Sequence, residues 1–118
     1  MILNMPVKKA VLVAFSVRTE KFDSPSERNK FFRTLYGWTQ TVPKENKQYT
    51  YHRRGILDEM PHEKVDQSSF IIPEDNFDTV VNFFEEWTNK VIWKTFKVLL
   101  EDGMMEEMFR AFEEEEDD

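Results

Sequence analysis

Gln48–Pro73, with the sequence QYTYHRRGILDEMPHEKVDQSSFIIP, decides the fold prediction for this chain. Gln48–Leu57 and Gln67–Ile72 are rich in aromatic and β-branched residues, which is typical of strands. Pro61 and several acidic residues separate them, so Asp58–Asp66 is interpreted as a loop. The stretch therefore predicts a hairpin of two strands joined by a long charged loop.

A strand and a helix are predicted on the N-terminal side of this hairpin. Lys8–Val17 (KKAVLVAFSV) is an almost uninterrupted apolar run, which is typical of a central strand covered on both faces. A helix over Pro25–Tyr36 is indicated by Ser24 at the N-cap position and Glu27 three residues later. Gly37 stands where a left-handed residue would end that helix.

The C-terminal side predicts a helix, a strand and a second helix. Pro73–Thr88 carries apolar residues at helical spacing, and Val91–Leu100 alternates like a strand at an exposed edge. Asp102–Phe112 is an amphipathic helix, followed by an acidic tail over residues 113–118 that we expect to be disordered. We expect the apolar stripe of this helix to form an interface with its own domain or with the dimer partner, and a separate protein partner is the alternative. The stripe consists of Met104, Met105, Met108, Phe109 and Phe112.

The predicted order of elements is βαββαβ with an additional C-terminal helix, so the fold class is α+β. This order is that of the ferredoxin-like split βαβ unit, in which a four-stranded antiparallel sheet carries two helices on one face. We expect one such domain over residues 1–112. Because the second face of the sheet would be apolar and uncovered, the sequence also predicts a homodimer.

Charge and composition restrict the classes of function. The net charge of −7 is unevenly distributed, since residues 1–100 carry 15 Lys/Arg against 13 Asp/Glu and residues 101–118 carry one Arg against ten acids. The acidity therefore argues against nucleic acid only at the C-terminal segment. The absence of cysteine excludes disulfides and thiolate chemistry and favours a cytoplasmic location. No apolar run is long enough to predict a membrane-spanning helix.

The polar residues near the predicted loop are candidates for a metal site. Carboxylates and imidazoles are the ligands that a hydrolytic metal site needs, but their spacing matches no established motif, and a solvated loop has the same composition. The candidate ligands are Asp58, Glu59, His62 and Asp66, with His52 and Glu63 nearby. No cofactor is predicted, except Mg²⁺ if the protein is a nuclease.

Several basic residues are candidates for binding nucleic acid. Guanidinium groups form paired hydrogen bonds with phosphate, and aromatic side chains can stack on bases. The candidates are Arg28, Arg33, Arg53 and Arg54, with Lys30, Trp38, Tyr49 and Tyr51 nearby. Ordinary surface charge accounts for the same residues, and the third predicted strand lacks the signature of an RNA-recognition motif.

Short motifs along residues 8–100 resemble a known family. The motifs are the strand VLVAFSV, a helix with Arg28 through Arg33 that reaches Leu35, Gly37 and Gln40, and a hairpin with the pair Ser69-Phe70. They are similar to the small ferredoxin-like subunit of CRISPR adaptation and to VapD-type ribonucleases. The resemblance implies a homodimer packed through the open faces of two sheets, with basic residues available to a nucleic-acid backbone. The family's metal-binding Asp at the end of the first strand corresponds to Ser16 here, which disfavours nuclease activity.

Three hypotheses follow. The first is a non-enzymatic, homodimeric interaction module that contacts nucleic acid or a protein partner. The second is a metal-dependent endonuclease or endoribonuclease that uses the acids of the loop. The third is a regulatory domain that senses a small molecule at the dimer interface.

Overall fold

The computed structural model describes residues 9–101 and 103–116 and shows an α+β fold. None of its helices has the length and apolar character that crossing a bilayer requires, within these residues. The strands are β1 (Lys9–Val17), β2 (Trp38–Lys44), β3 (Lys47–Arg53), β4 (Glu63–Asp66), β5 (Ser69–Pro73) and β6 (Val91–Leu99). The helices are α1 (Pro25–Tyr36), α2 (Phe77–Glu85) and α3 (Met104–Glu116), with 3-10 turns at Thr19–Lys21, Ile56–Glu59 and Glu74–Asn76.

Four strands form the main sheet in the order β4-β5-β1-β6, and every neighbouring pair is antiparallel. Val13 lies opposite Phe70, whereas Leu12 lies opposite both Ile71 and Phe96. Successive side chains of a strand point to opposite faces, so these two rows lie on different faces of the sheet. β1 is thus the interior strand that its apolar sequence predicts.

One face of the sheet carries the hydrophobic core together with α1 and α2. The ring centroid of Phe15 lies 5.6 Å from that of Phe31 in α1 and 5.4 Å from that of Phe84 in α2. Phe31, Phe70 and Phe84 are completely buried, and each such side chain contributes at most about 3 kcal/mol by leaving water. The opposite side of the sheet is covered by neither α1 nor α2, and we call it the helix-free face for that reason. It is buried at one end, at Ala10 and Pro73, and exposed at Ile92 and Phe96.

The sequence prediction for α1 is confirmed with identical bounds. Ser24 Oγ accepts a hydrogen bond from the backbone N–H of Glu27, and Gly37 ends the helix at φ 80°. The Tyr36 hydroxyl, in the last turn, donates a hydrogen bond of 2.7 Å to the carbonyl of Gln67. Burial, with a smaller effect from the Asp66 charge, raises the pKa of Tyr36 to about 12. This bond connects the end of α1 to the turn between β4 and β5.

The predicted long hairpin between Gln48–Leu57 and Gln67–Ile72 is wrong. β3 instead pairs with β2 in a separate two-stranded sheet, which includes Pro43 from the segment predicted as a loop. Glu45 and Asn46 form the turn with φ of 52° and 68°, the left-handed conformations that suit a tight hairpin. Closing this short local loop costs less chain entropy than closing the long loop that the sequence predicts.

The prediction of Asp58–Asp66 as a loop is also corrected, because it contains β4. This strand takes the place in the main sheet that was expected for Gln48–Leu57. Its exposed sequence EKVD has no apolar alternation that would predict a strand. The Asp66 carboxylate stabilises the following turn by accepting hydrogen bonds from Ser68 N–H (2.7 Å) and Ser69 Oγ (3.0 Å), and these bonds lower its pKa.

The C-terminal elements are confirmed with shifted bounds. Pro73 belongs to β5, so α2 is shorter than the helix predicted over Pro73–Thr88. α3 extends to Glu116, beyond Phe112, where the sequence predicts the disordered tail to begin. Glutamate is a good helix former, which accounts for the extension. The last two residues of that predicted tail lie outside the described residues.

A hydrogen-bonded ion pair connects the start of α1 to the residue before β6. Lys90 Nζ donates to Glu27 Oε1, and each side chain is about one-quarter exposed. The same carboxylate oxygen accepts the backbone N–H of Asp23 at 2.9 Å. The bond to Lys90 is the largest cause of the lowered pKa of Glu27, and the bond to Glu27 is the largest cause of the raised pKa of Lys90.

We expect Glu27→Gln to weaken the dependence of stability on acid pH. Because the folded pKa of Glu27 lies below its ordinary value of 4.5, its carboxylate stabilises the fold above that pH and loses this effect as the pH falls through the lowered pKa. Urea denaturation should therefore show a larger fall in the free energy of unfolding between about pH 6 and pH 3 for the wild type than for Glu27→Gln. The exposed control Glu20→Gln should behave like the wild type. Equal falls in all three proteins would contradict the role of the ion pair.

Candidate functional site

The β2–β3 hairpin, residues 38–53, extends away from the main sheet, and we call it the arm. All seven residues of β3 are exposed, and β2 alternates between half-buried and exposed residues. An isolated two-stranded hairpin is at best marginally stable in water. The arm therefore needs support where it joins the rest of the chain.

The arm has one aromatic and one polar face. Trp38 pairs with Arg53 and Val42 pairs with Tyr49, so these four side chains share a face with Tyr51. Tyr49 and Tyr51 are 40% and 46% exposed. The Arg53 guanidinium lies 5.4 Å from the ring centroid of Tyr51 and forms a cation–π contact with it.

The arm is anchored by a close approach of two glycines. A Cβ atom on Gly55 would lie 2.2 Å from the backbone nitrogen of Gly37 and 2.7 Å from the carbonyl oxygen of Leu35. A Cβ atom on Gly37, which has φ 80°, would lie 2.5 Å from the carbonyl oxygen of Arg53. No side chain fits between these backbones, so both ends of the arm meet the C-terminal end of α1.

Asp58 fixes this junction with its carboxylate. Asp58 Oδ2 accepts a hydrogen bond from Gly55 N–H at 2.8 Å and lies 2.9 Å from His52 Nε2. Arg54 donates to the carbonyl oxygen of Asp58 at 2.7 Å. The Asp58 side chain is 17% exposed and thus mostly enclosed by the groups it binds. These contacts hold the 3-10 turn against the end of β3.

A cleft of about 550 Å³ lies between α1 and the base of the arm. Its lining is mainly polar and includes Lys30, Arg33, Thr34, Trp38, Arg54 and Glu59. The Arg33 guanidinium lies 4.2 Å from the ring centroid of Trp38, and Arg54 Nε lies 3.6 Å from Glu59 Oε1. In the part of the chain that the structure describes, no carboxylate forms an ion pair with Lys30 or Arg33.

The structure brings two of the four predicted nucleic-acid-binding residues together. Arg33 and Arg54 both line the cleft, and Arg53 lies on the neighbouring aromatic face of the arm, where its Nε donates to Gln40 Oε1 at 2.7 Å. Arg28 does not line the cleft. Its guanidinium instead lies 4.9 Å from the ring centroid of Phe32. Its Nε is buried and has no hydrogen-bond partner among the described residues.

The predicted metal ligands have separate structural partners. Asp58 binds the arm junction, Glu59 lies beside Arg54, Asp66 closes the β4–β5 turn, and His62 Nδ1 lies 3.1 Å from the carbonyl oxygen of Met60. Over residues 9–101 and 103–116, no three His, Asp or Glu side chains form a group that could hold a metal ion.

The helix-free face of the sheet presents a second surface. Ile92 and Phe96 are 44% and 49% exposed, and Leu12 and Ile71, in register with Phe96, are half-buried. Ser16 is exposed opposite Ile92 on this same face. The centre of the face is therefore an apolar row across three strands.

α3 places part of its predicted interface against its own chain. Met108 is only 2% exposed and, with Ala111 and Phe112, lines a cavity of about 80 Å³ shared with Met60 and His62. In the rest of the stripe, Met104 and Met105 are half-buried, whereas Phe109 is 41% exposed. Met108 is thus committed to intramolecular packing.

Trp38, Tyr49 and Tyr51 were identified from the sequence as residues that could stack on bases. That they share one face of a hairpin was missed, because β2 and β3 were not paired in the sequence prediction. The residues on either side of Glu45-Asn46 alternate along WTQTVPK and KQYTYHR, and a two-residue turn with Asn at its second position would have indicated the pairing. The ion pair between Glu27 and Lys90 has no such signal, since 63 residues separate its members.

Comparison with known proteins adds no family to this description. No protein-family model matches the chain, and no curated protein or solved structure matches it.

Gly55→Ala should reduce the free energy of unfolding by about 1–3 kcal/mol, because the methyl group would overlap the backbone of Gly37. Chemical denaturation measures this loss. Gly103→Ala is the comparison without a steric clash, since no atom lies within 4 Å of the Cβ position of Gly103 and only the strain of φ 91°, about 1–2 kcal/mol, opposes the substitution. If Gly55→Ala is as stable as the wild type, the two backbones are not in contact.

Proposed function

We propose that the protein is a non-enzymatic interaction module that forms a homodimer through the helix-free face of its sheet. The exposure of Ile92 and Phe96 beside Leu12 and Ile71 is the observation that carries this proposal. Removing such apolar surface from water favours association. A second copy of the chain supplies the same apolar row and covers all three strands at once.

The charges at the two edges of the helix-free face support pairing between identical copies. Lys94 lies on this face in the edge strand β6, because it is in register with Ala14. Glu63 lies on it in the other edge strand, β4, because it is in register with Ile71. A two-fold axis parallel to the strands places β6 of one copy over β4 of the other, so the edge that carries Lys94 lies over the edge that carries Glu63. Phe96 is then level with Glu63, and Lys94 lies two residues, about 6.8 Å, further along the strand.

We also propose that the fold is ferredoxin-like with the arm as an insertion between α1 and β4. The strand order β4-β5-β1-β6, with α1 before β4 and α2 between β5 and β6, supports this interpretation. A dimer through the helix-free face is also what the resemblance to the small subunit of CRISPR adaptation implies. The non-enzymatic role is supported by Asp58 and Asp66, whose carboxylates both accept backbone hydrogen bonds.

Sedimentation equilibrium at micromolar concentration should give a mass about twice the 14.2 kDa of one chain. Phe96→Glu should reduce it to the monomer mass, because the carboxylate would be buried against an apolar surface. Leu99→Glu is the matched control: Leu99 is 73% exposed on the same strand but points to the opposite face, so its variant should remain dimeric.

Two results would contradict the proposal. A wild-type mass of 14.2 kDa over the whole concentration range would exclude the dimer. A dimer that Leu99→Glu disrupts and Phe96→Glu does not would place the contact on a different surface.

A further inference from the structure

We infer that the cleft at the base of the arm, together with the aromatic face of the arm, binds single-stranded nucleic acid. This inference goes beyond the homodimer and does not require it, because α1, β2 and β3 of one chain form both parts of the site. The ligand class follows from three features of the described residues: cations, aromatic rings and the way the two are arranged.

The cations line the cleft and continue along the arm. Lys30, Arg33 and Arg54 contribute positive charge to the cleft, whereas Glu59 is its only carboxylate among the described lining residues. Residues 38–54 contain four Lys/Arg and one Glu. Two of the four are Lys44 and Lys47, which flank the turn at the tip of the arm. This charge favours a polyanion long enough to contact both the cleft and the arm.

The aromatic rings provide surfaces on which bases can stack. Tyr49 and Tyr51 occur on one face of β3 and are separated by two residues, or about 6.8 Å. Both rings are substantially exposed. Trp38 continues the same face into the cleft, where Arg33 lies over its ring. A row of rings beside a cationic groove is the arrangement that single-strand-binding proteins use.

The combination favours a single strand over the alternatives. A duplex offers phosphates to the cleft, but its bases are stacked on one another and leave no free faces for Tyr49 and Tyr51. An acidic peptide could satisfy the cations, but it would leave the two tyrosine rings without planar partners. Among the described residues, α3 contributes none to the cleft lining, so this acidic helix does not take part in the site.

Fluorescence anisotropy with labelled 12-nucleotide single-stranded RNA and DNA tests the inference, with a duplex of the same sequence as comparison. The full-length protein should bind the single strands with an affinity that falls with salt, and the duplex at least about fivefold more weakly. Tyr49→Ala and Tyr51→Ala should each weaken single-strand binding about tenfold. Tyr49→Phe should bind like the wild type, because it keeps the ring.

The contribution of the cleft is measured separately through the salt dependence. Lys30→Ala should reduce the slope of log K against log salt by about 0.7, the value for one phosphate contact on a single strand, and Lys30→Arg should preserve the slope. Lys97→Ala on β6 and Phe109→Ala on α3 are matched controls, because Lys97 does not line the cleft and Phe109 has nearly the exposure of Tyr49. Both controls should bind like the wild type.

The inference is overturned if the wild type binds no single strand at low salt, or if it binds the duplex as tightly as the single strand. It is also overturned if both tyrosine-to-alanine variants bind like the wild type, since attachment would then be nonspecific electrostatics. Phe96→Glu, used in the same assay, should retain binding. This variant separates failure of the nucleic-acid site from failure of the dimer.

Discussion

The contact between the backbones of Gly37 and Gly55 is the constraint on which the arrangement of the molecule depends. It brings both ends of the arm to the C-terminal end of α1, and the Asp58 carboxylate holds the junction through Gly55 N–H. Because the chain leaves and returns at one point, the arm adds a hairpin without interrupting the main sheet. After the arm, the chain continues toward β4 from the place where α1 ends.

The contact between the two glycines keeps the arm and its cleft apart from the helix-free face of the main sheet. The net charge of the chain does not show that these two surfaces differ. The arm and the cleft are basic and aromatic, whereas the centre of the helix-free face is apolar and α3 is acidic, with six Glu against one Arg. The surfaces suit different partners, since apolar burial favours a second copy and cations beside rings favour a polyanion. The proposed dimer uses β1, β5 and β6, none of which belongs to the arm or lines the cleft.

The sequence predicts the elements whose signals are local. The N-cap at Ser24, the glycine after α1 and the apolar run of β1 were sufficient for correct assignments. The pairing of β2 with β3 was not predicted, because Lys47–Arg53 fits either sheet by composition and the turn at Glu45-Asn46 was interpreted as part of a longer loop. β4 is short and exposed, so it carries no periodic apolar signal. For the candidate site, the cations Arg33, Arg53 and Arg54 were identified, but their neighbourhood depends on the contact between two glycines 18 positions apart.

Amide NMR mapping on the full chain tests most directly whether one chain carries two independent surfaces. Dilution from high to low micromolar concentration should shift resonances of β1 and β6 around Leu12 and Phe96. Addition of a single-stranded oligonucleotide at constant protein concentration should instead shift resonances of α1 and the arm around Lys30, Tyr49 and Tyr51. Two sets without shared residues would support the account, and a single set that responds to both changes would contradict it.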